Sequence, residues 1–203
     1  MRLVRPPFWI KIFYPSVLWR GVKDKAVVYL TFDDGPVPEV TPWVMQVLDD
    51  AGIKATFFCV GENVLKNSEL YKQLIAKEHQ VGNHSYNHIV ATQCSWNEYV
   101  ENLIKARIYI DSDLFRPPHG KLTPWQAWKL RKMFRKIVLW DVLSYDYDNS
   151  LNPFEIIENV MKNVRNGSII VFHDSVKAFD RLKIALPELI AQLKAKGFEF
   201  KII

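Results

Sequence analysis

Seven short apolar runs rich in β-branched and aromatic residues recur along the chain, at 26–32, 55–60, 80–83, 114–116, 136–142, 168–173 and 198–203. Their length and composition predict strands rather than buried helices. Stretches with helix boundary signals lie between them. Thr41-Pro42 provides an N-cap and a proline at the first helical position, and Gly52 closes that helix. Ser95 with Glu98 predicts a capping box that opens a helix toward Asp111. Thr123-Pro124 and Asn152-Pro153 repeat the cap-plus-proline start, and Gly167 ends the second of these. A last helix is expected over about 179–196, with a kink at Pro187 and Gly197 after it.

Strands alternating with helices predict an α/β domain with a parallel sheet. A barrel and an open doubly wound sheet share that pattern. The barrel is the better reading, because polar clusters follow several strands in turn and a closed ring brings their carboxyl ends to one mouth. A single small domain, 26–203, is expected, preceded by an extension, 1–25, packed on it.

The clusters carry the candidate chemistry. Asp33 and Asp34 follow the first run, in Thr31-Phe32-Asp33-Asp34-Gly35-Pro36. Neighbours on an extended backbone point to opposite sides, so one can face a metal and the other substrate; the same residues also suit a plain turn. His84 and His88 are four apart, a spacing that places both on one side of a helical turn and suits two imidazoles on one zinc. Ser85 is a candidate partner for the second nitrogen of one of them. His173 emerges from Ile169-Ile170-Val171-Phe172 as a candidate proton donor, or as a histidine paired with Asp174. Asp141, Asp146 and Asp148 end another strand, where any of them can tune His173 or pair with Arg116.

Composition narrows the setting. A 49% hydrophobic fraction excludes a disordered chain. The net charge of +5 is spread thinly, with a local run at Lys129, Arg131, Lys132, Arg135 and Lys136, read as a solvated helix face. No nucleic-acid-binding motif accompanies it. Cys59 reads as a buried small hydrophobe and Cys94 as a loop residue, with a disulfide between them left open. In the extension, Phe8, Trp9, Ile10, Ile12, Phe13 and Tyr14 are expected to pack on the domain, with peripheral membrane contact as the lesser reading. Lys11 and three prolines interrupt the stretch, so no export signal is recognised and the chain as written reads as cytoplasmic. No transmembrane segment and a monomer are expected.

Taken together, Thr-Phe-Asp-Asp-Gly-Pro, His84-Ser85-Tyr86-Asn87-His88, Arg116-Pro117-Pro118-His119 and Phe172-His173-Asp174 resemble the polysaccharide deacetylase family, the NodB-homology domain of carbohydrate esterase family 4. The resemblance implies a distorted (β/α)7-type barrel that removes acetyl groups from an N-acetylated, or less often O-acetylated, polysaccharide or oligosaccharide. It implies Asp33 as general base, His173 as general acid, and Asp34, His84 and His88 as ligands of a divalent metal, zinc first and cobalt or nickel as alternatives. The backbone N–H of His119 would stabilise the oxyanion, Arg116 would orient Asp33 or a neighbouring acid, and Asp146 would support the site. Phe172, Tyr147 and Pro118 are the expected substrate contacts, with Phe172 against the acetyl methyl.

The chain departs from the family pattern at three side chains. His119 stands where the third motif has Tyr or Phe, and its imidazole is a candidate extra ligand. In the fourth motif, Leu143 replaces the first acid and Tyr147 the Trp, while Asp146 is kept. Two other functions fit the same residues: an amide hydrolase on a small non-sugar substrate, and a catalytically weak metal-containing carbohydrate-binding protein.

Overall fold

The computed structural model describes residues 3–203. All seven predicted runs contribute strands. In chain order the strands are β1 (Val17–Leu18), β2 (Val27–Asp33), β3 (Thr56–Cys59), β4 (Gln80–Asn83), β5 (Leu114–Phe115), β6 (Lys136–Val138), β7 (Val142–Leu143), β8 (Ile169–His173) and β9 (Glu199–Phe200). They pair in parallel in the order β1-β6-β5-β4-β3-β2-β8-β7, and β9 joins the start of β2. The curled sheet matches the predicted small, distorted barrel.

The run at 136–142 is divided between β6 and β7, at nearly opposite ends of that order. Leu139 donates its N–H to Leu18 and Asp141 donates to Ile169, so three residues step from one ladder to the other with no crossover helix. This step draws the two ends of the sheet together. The extension fills the same seam. β1 pairs Val17 with Ile137, and Arg20 forms an antiparallel bridge to Ser168. Farther up, Val4 accepts the N–H of Leu143. The extension is therefore a strand of the sheet as well as a covering, which the sequence pattern did not foretell.

Its short helix α1 (Phe8–Phe13) corrects another expectation. Phe8, Trp9, Ile12 and Phe13 do not pack on the domain; they are exposed, and no residue of α1 is buried. The seam is already satisfied by backbone pairing, and the residue that α1 turns inward is Lys11, which reaches the carboxylate of Asp141 at 3.1 Å.

The remaining helices are α2 (Thr41–Asp50), α3 (Gly61–Lys66), α4 (Ser68–Ala76), α5 (Trp96–Arg107), α6 (Pro124–Leu130), α7 (Pro153–Asn163) and α8 (Val176–Ala195). Reciprocal capping boxes open α5 (Ser95 with Glu98), α6 (Thr123 with Gln126) and α7 (Asn152 with Glu155). Thr41 is no side-chain cap; its hydroxyl accepts from Val37 N–H and donates to Asp174. Both cysteines are free thiols.

Alternation along β2 separates two cores. Val28, Leu30 and Phe32 face the helices, while Val27 and Tyr29 join Phe58, Leu114, Val138 and Ile169 in the barrel interior. Above this apolar floor the same alternation brings Thr31, Arg116 and Val171 inward, and then Asp33 and His173, paired in register, at the mouth.

At the seam, the buried carboxylate of Asp141 accepts from Arg165 (2.7 and 2.9 Å), Ser168 (2.9 Å) and Lys11. Burial opposes its charge, but these donors outweigh burial and lower its pKa to about 2. The depressed pKa means stability present above the unfolded value near 4 and lost as pH falls toward 2. Asp141→Asn should cost about 3 kcal/mol by urea unfolding at neutral pH, and flatten the acid limb of stability between pH 4 and 2.

Candidate active site

β2 ends on Asp33, fully extended, and the chain then turns at Asp34, whose φ is 84°. Three groups hold this left-handed turn. Asn63 donates to the Asp34 carbonyl (2.7 Å), the carboxylate of Asp174 accepts Gly35 N–H (3.0 Å), and Thr41 donates to the same carboxylate (2.5 Å). A side chain at Gly35 would begin 1.9 Å from an Asp174 oxygen, so only glycine fits. Burial, with the nearby Asp34 charge, raises the Asp174 pKa to about 8 against the pull of these donors. Asp174 thus braces the turn and does not pair with His173.

Beyond β4 the chain makes the second turn, at residues 84–88. It is not helical: Ser85 and His88 have φ of 66° and 60°. Asn83 accepts Ser85 N–H, Asn102 accepts Tyr86 N–H, and the first N–H groups of α3 donate to the carbonyls of Ser85 and Tyr86. The predicted one-sided pair is real in space, but a braced loop produces it. Ser85 is not the outer partner of a histidine, and its buried hydroxyl has no hydrogen-bond partner. That partner is the main-chain carbonyl of Arg116, 2.8 Å from His84 Nδ1.

A carbonyl only accepts, so His84 Nδ1 carries the hydrogen and Nε2 bears the lone pair. This lone pair faces Asp34 Oδ1 at 3.8 Å, and His88 Nε2 lies 3.3 Å from the same oxygen. The three donor atoms lie within 4.8 Å of one another. Asp34 Oδ1 is buried with no hydrogen-bond partner. An anionic oxygen opposite an imidazole lone pair is repulsive unless a cation stands between them. The donor set therefore fits a divalent metal; tetrahedral zinc ligands stand roughly 3.4 Å apart. Burial disfavours charge on both groups. It lowers the His84 pKa to about 4 and keeps the ring neutral, while at Asp34 the neighbouring imidazoles outweigh it and hold the carboxylate well below its usual range.

Arg116 is fully buried at the centre of the barrel. Its guanidinium donates to Asp33 Oδ1 (2.6 Å) and Thr31 Oγ1 (2.8 Å), and it lies 4.1 Å over the Phe58 ring. Asp33 is thereby held beside the triad of Asp34, His84 and His88 and outside it. Opposite stands His173. Asp146 accepts both its backbone N–H (2.7 Å) and its Nδ1–H (2.8 Å), leaving Nε2 for the cavity that the ring lines. Burial alone would lower the His173 pKa; the charge and hydrogen bond of Asp146 outweigh it and raise the value to about 9.

Of the other acids, Asp141 belongs to the seam, and Asp148 accepts from Ser150 in a turn. His119, at φ 57°, lines the cavity with its ring 4.8 Å from that of His88 and 70° to it, adjoining the triad without entering it. The cleft holds about 570 Å³, and its walls include Leu143, Tyr145, Tyr147, Val171 and Trp140. Tyr147 lines the cleft. Phe172 does not: it points to the outer core and stacks on Phe32, while Val171 and His173 share the inward face. Pro118 is buried in the short 3-10 turn (Pro118–Gly120), behind the wall. Trp96 and Trp125 pack edge-to-face on each other, away from the cleft. Asn63, Asn83 and Asn102 went unnoticed in the sequence, since polar residues that brace turns carry no motif of their own; Asp174 stands in a motif, but its bracing role did not show there.

Residues 20–134 match the family model described as polysaccharide deacetylase. A peptidoglycan-N-acetylglucosamine deacetylase of Bacillus cereus is 33% identical over 96% of this chain and 72% of its own length. A chitooligosaccharide deacetylase of Bradyrhizobium is 31% identical over 94% of this chain and 95% of its own. Among solved structures, a peptidoglycan N-acetylglucosamine deacetylase superposes with a TM-score of 0.88 at 32% identity, covering 98% of this chain and 95% of that one.

Zinc titration by calorimetry should give one site in the intact protein. Asp34→Ala, His84→Ala and His88→Ala should each weaken it at least a hundredfold, whereas Asp33→Asn should leave it within about threefold.

Proposed function

The chain belongs to the polysaccharide deacetylase family, and from that premise we propose that it hydrolyses the N-acetyl group of an N-acetylglucosamine-containing glycan, with zinc held by Asp34, His84 and His88. The observation that carries this reading is the division of labour at the barrel mouth. One carboxylate faces two imidazoles, a second is held by a buried arginine, and a third imidazole is tethered to its own acid. The relatives named for peptidoglycan and for chitooligosaccharide have the N-acetylglucosamine unit in common, which supports that unit as the substrate class.

When bound at the triad, a divalent metal polarises the acetyl carbonyl and makes a water easier to deprotonate. Asp33 takes the proton of the attacking water, its Oδ1 fixed by Arg116 so that the carboxylate does not swing toward the triad. Val171 and Leu143, rather than Phe172, wall the space for the acetyl methyl. The His119 N–H is assigned to the developing oxyanion. As the C–N bond breaks, His173 gives its proton to the departing amine nitrogen, and Asp146 stabilises the charged ring beforehand. Acetate and the free amino sugar leave.

Asp33→Asn should abolish acetate release from N-acetylglucosamine oligomers, at least a thousandfold by a coupled acetate assay, with the zinc content unchanged. Acetate release persisting in that variant would remove Asp33 as the base. The acid form of His173 is populated below its raised pKa and lost as pH rises through it, so kcat should fall as pH rises through about 9. Asp146→Asn should move this alkaline limb to lower pH; an unmoved limb would mean that His173 is not the acid.

A further inference from the structure

Amphipathic helices turn their apolar side to the protein. α1 does the reverse. Phe8, Trp9, Ile12 and Phe13, spaced so as to share one face, are 78%, 53%, 66% and 62% exposed, and the helix cation Lys11 turns inward to Asp141. No described residue covers this stripe, and a concentrated apolar patch marks a contact surface.

The surroundings state what kind of contact. Lys11, Arg165 and Arg20 gather at the seam beneath α1, with Arg5 close enough to act on Arg20 electrostatically. Among the described residues, the only carboxylate ion-paired within this group is that of Asp141. With Lys11 spent on that carboxylate, the half-buried Arg5, Arg20 and Arg165 leave a positive border beside an aromatic and aliphatic stripe. A second copy of the chain docking here about a twofold axis would bring one positive border close to the other. A bilayer with anionic headgroups complements both parts, since phosphates meet the cations while the stripe enters the boundary with the acyl chains.

We propose that α1 and its cationic border form a peripheral anchor for anionic lipid bilayers. No helix among the described residues is long and apolar enough to cross a membrane, so the anchor lies in the interface. It is independent of the deacetylase reading.

Co-sedimentation of the full chain with phosphatidylglycerol–phosphatidylcholine vesicles and with phosphatidylcholine vesicles tests it. The chain should pellet with the anionic vesicles, bind at least tenfold less to the neutral ones, and release as salt rises. Trp9→Ser with Phe13→Ser should weaken binding at least tenfold while the thermal midpoint stays unchanged, because neither side chain supports the core. Failure to pellet with either vesicle would overturn the anchor, and so would equal binding to both or undiminished binding by the double variant. A dimer in sedimentation velocity that the double variant converts to monomer would assign the stripe to contact between copies instead.

Discussion

One buried residue joins the two halves of the site. The Arg116 guanidinium fixes the carboxylate of Asp33, and the carbonyl of the same residue fixes the ring of His84. A fully enclosed charge costs several kcal/mol unless its donors are used. Here they are: Asp33 and Thr31 accept the strongest bonds, the carbonyls of Val138 and Leu139 accept longer ones at 3.4 Å, and the Phe58 face lies below. Thr31 in turn donates to Ile170, tying the arginine to β8 as well as β2. A shift of Arg116 would therefore disturb the setting of Asp33 and of His84 together.

The chemistry around it depends on separating like charges. Asp33, Asp34, Asp146 and Asp174 crowd one end of a small barrel. Each has its own counterpart: a guanidinium, a pair of imidazoles, a charged imidazole, and a hydroxyl with a backbone amide. Asp174 lacks a cation, and burial pushes its pKa up. Environment thus gives one residue type four different tasks. Leu143, in place of an acid, adds apolar wall without leaving Arg116 or His173 unpartnered.

Much of this was legible in the sequence, and the misses have physical causes. Asp33, Asp34, His84, His88 and His173 stood out because charged groups that end apolar strands are rarely placed there for packing. Phe172 was misassigned because its size drew attention away from strand alternation; with His173 inward, the inward apolar neighbour is Val171. Ser85 was the expected partner, and the Arg116 carbonyl was missed because backbone groups leave no mark in a sequence. The chain between β3 and β4 gave no helix signal, since α3 and α4 start without side-chain caps. β1, with two residues, is too short for any periodicity. α1 was expected to pack because apolar residues usually do.

The route by which the sheet is completed bears on the order of assembly. The ladder partner of β1 lies about 120 residues further along the chain, and the bridge partner of Arg20 later still. During synthesis β1 has no mate until about 120 further residues have followed. Contacts of such long range slow the approach to the native state. The segment that finishes the barrel is thus made well before its partners and must wait for them.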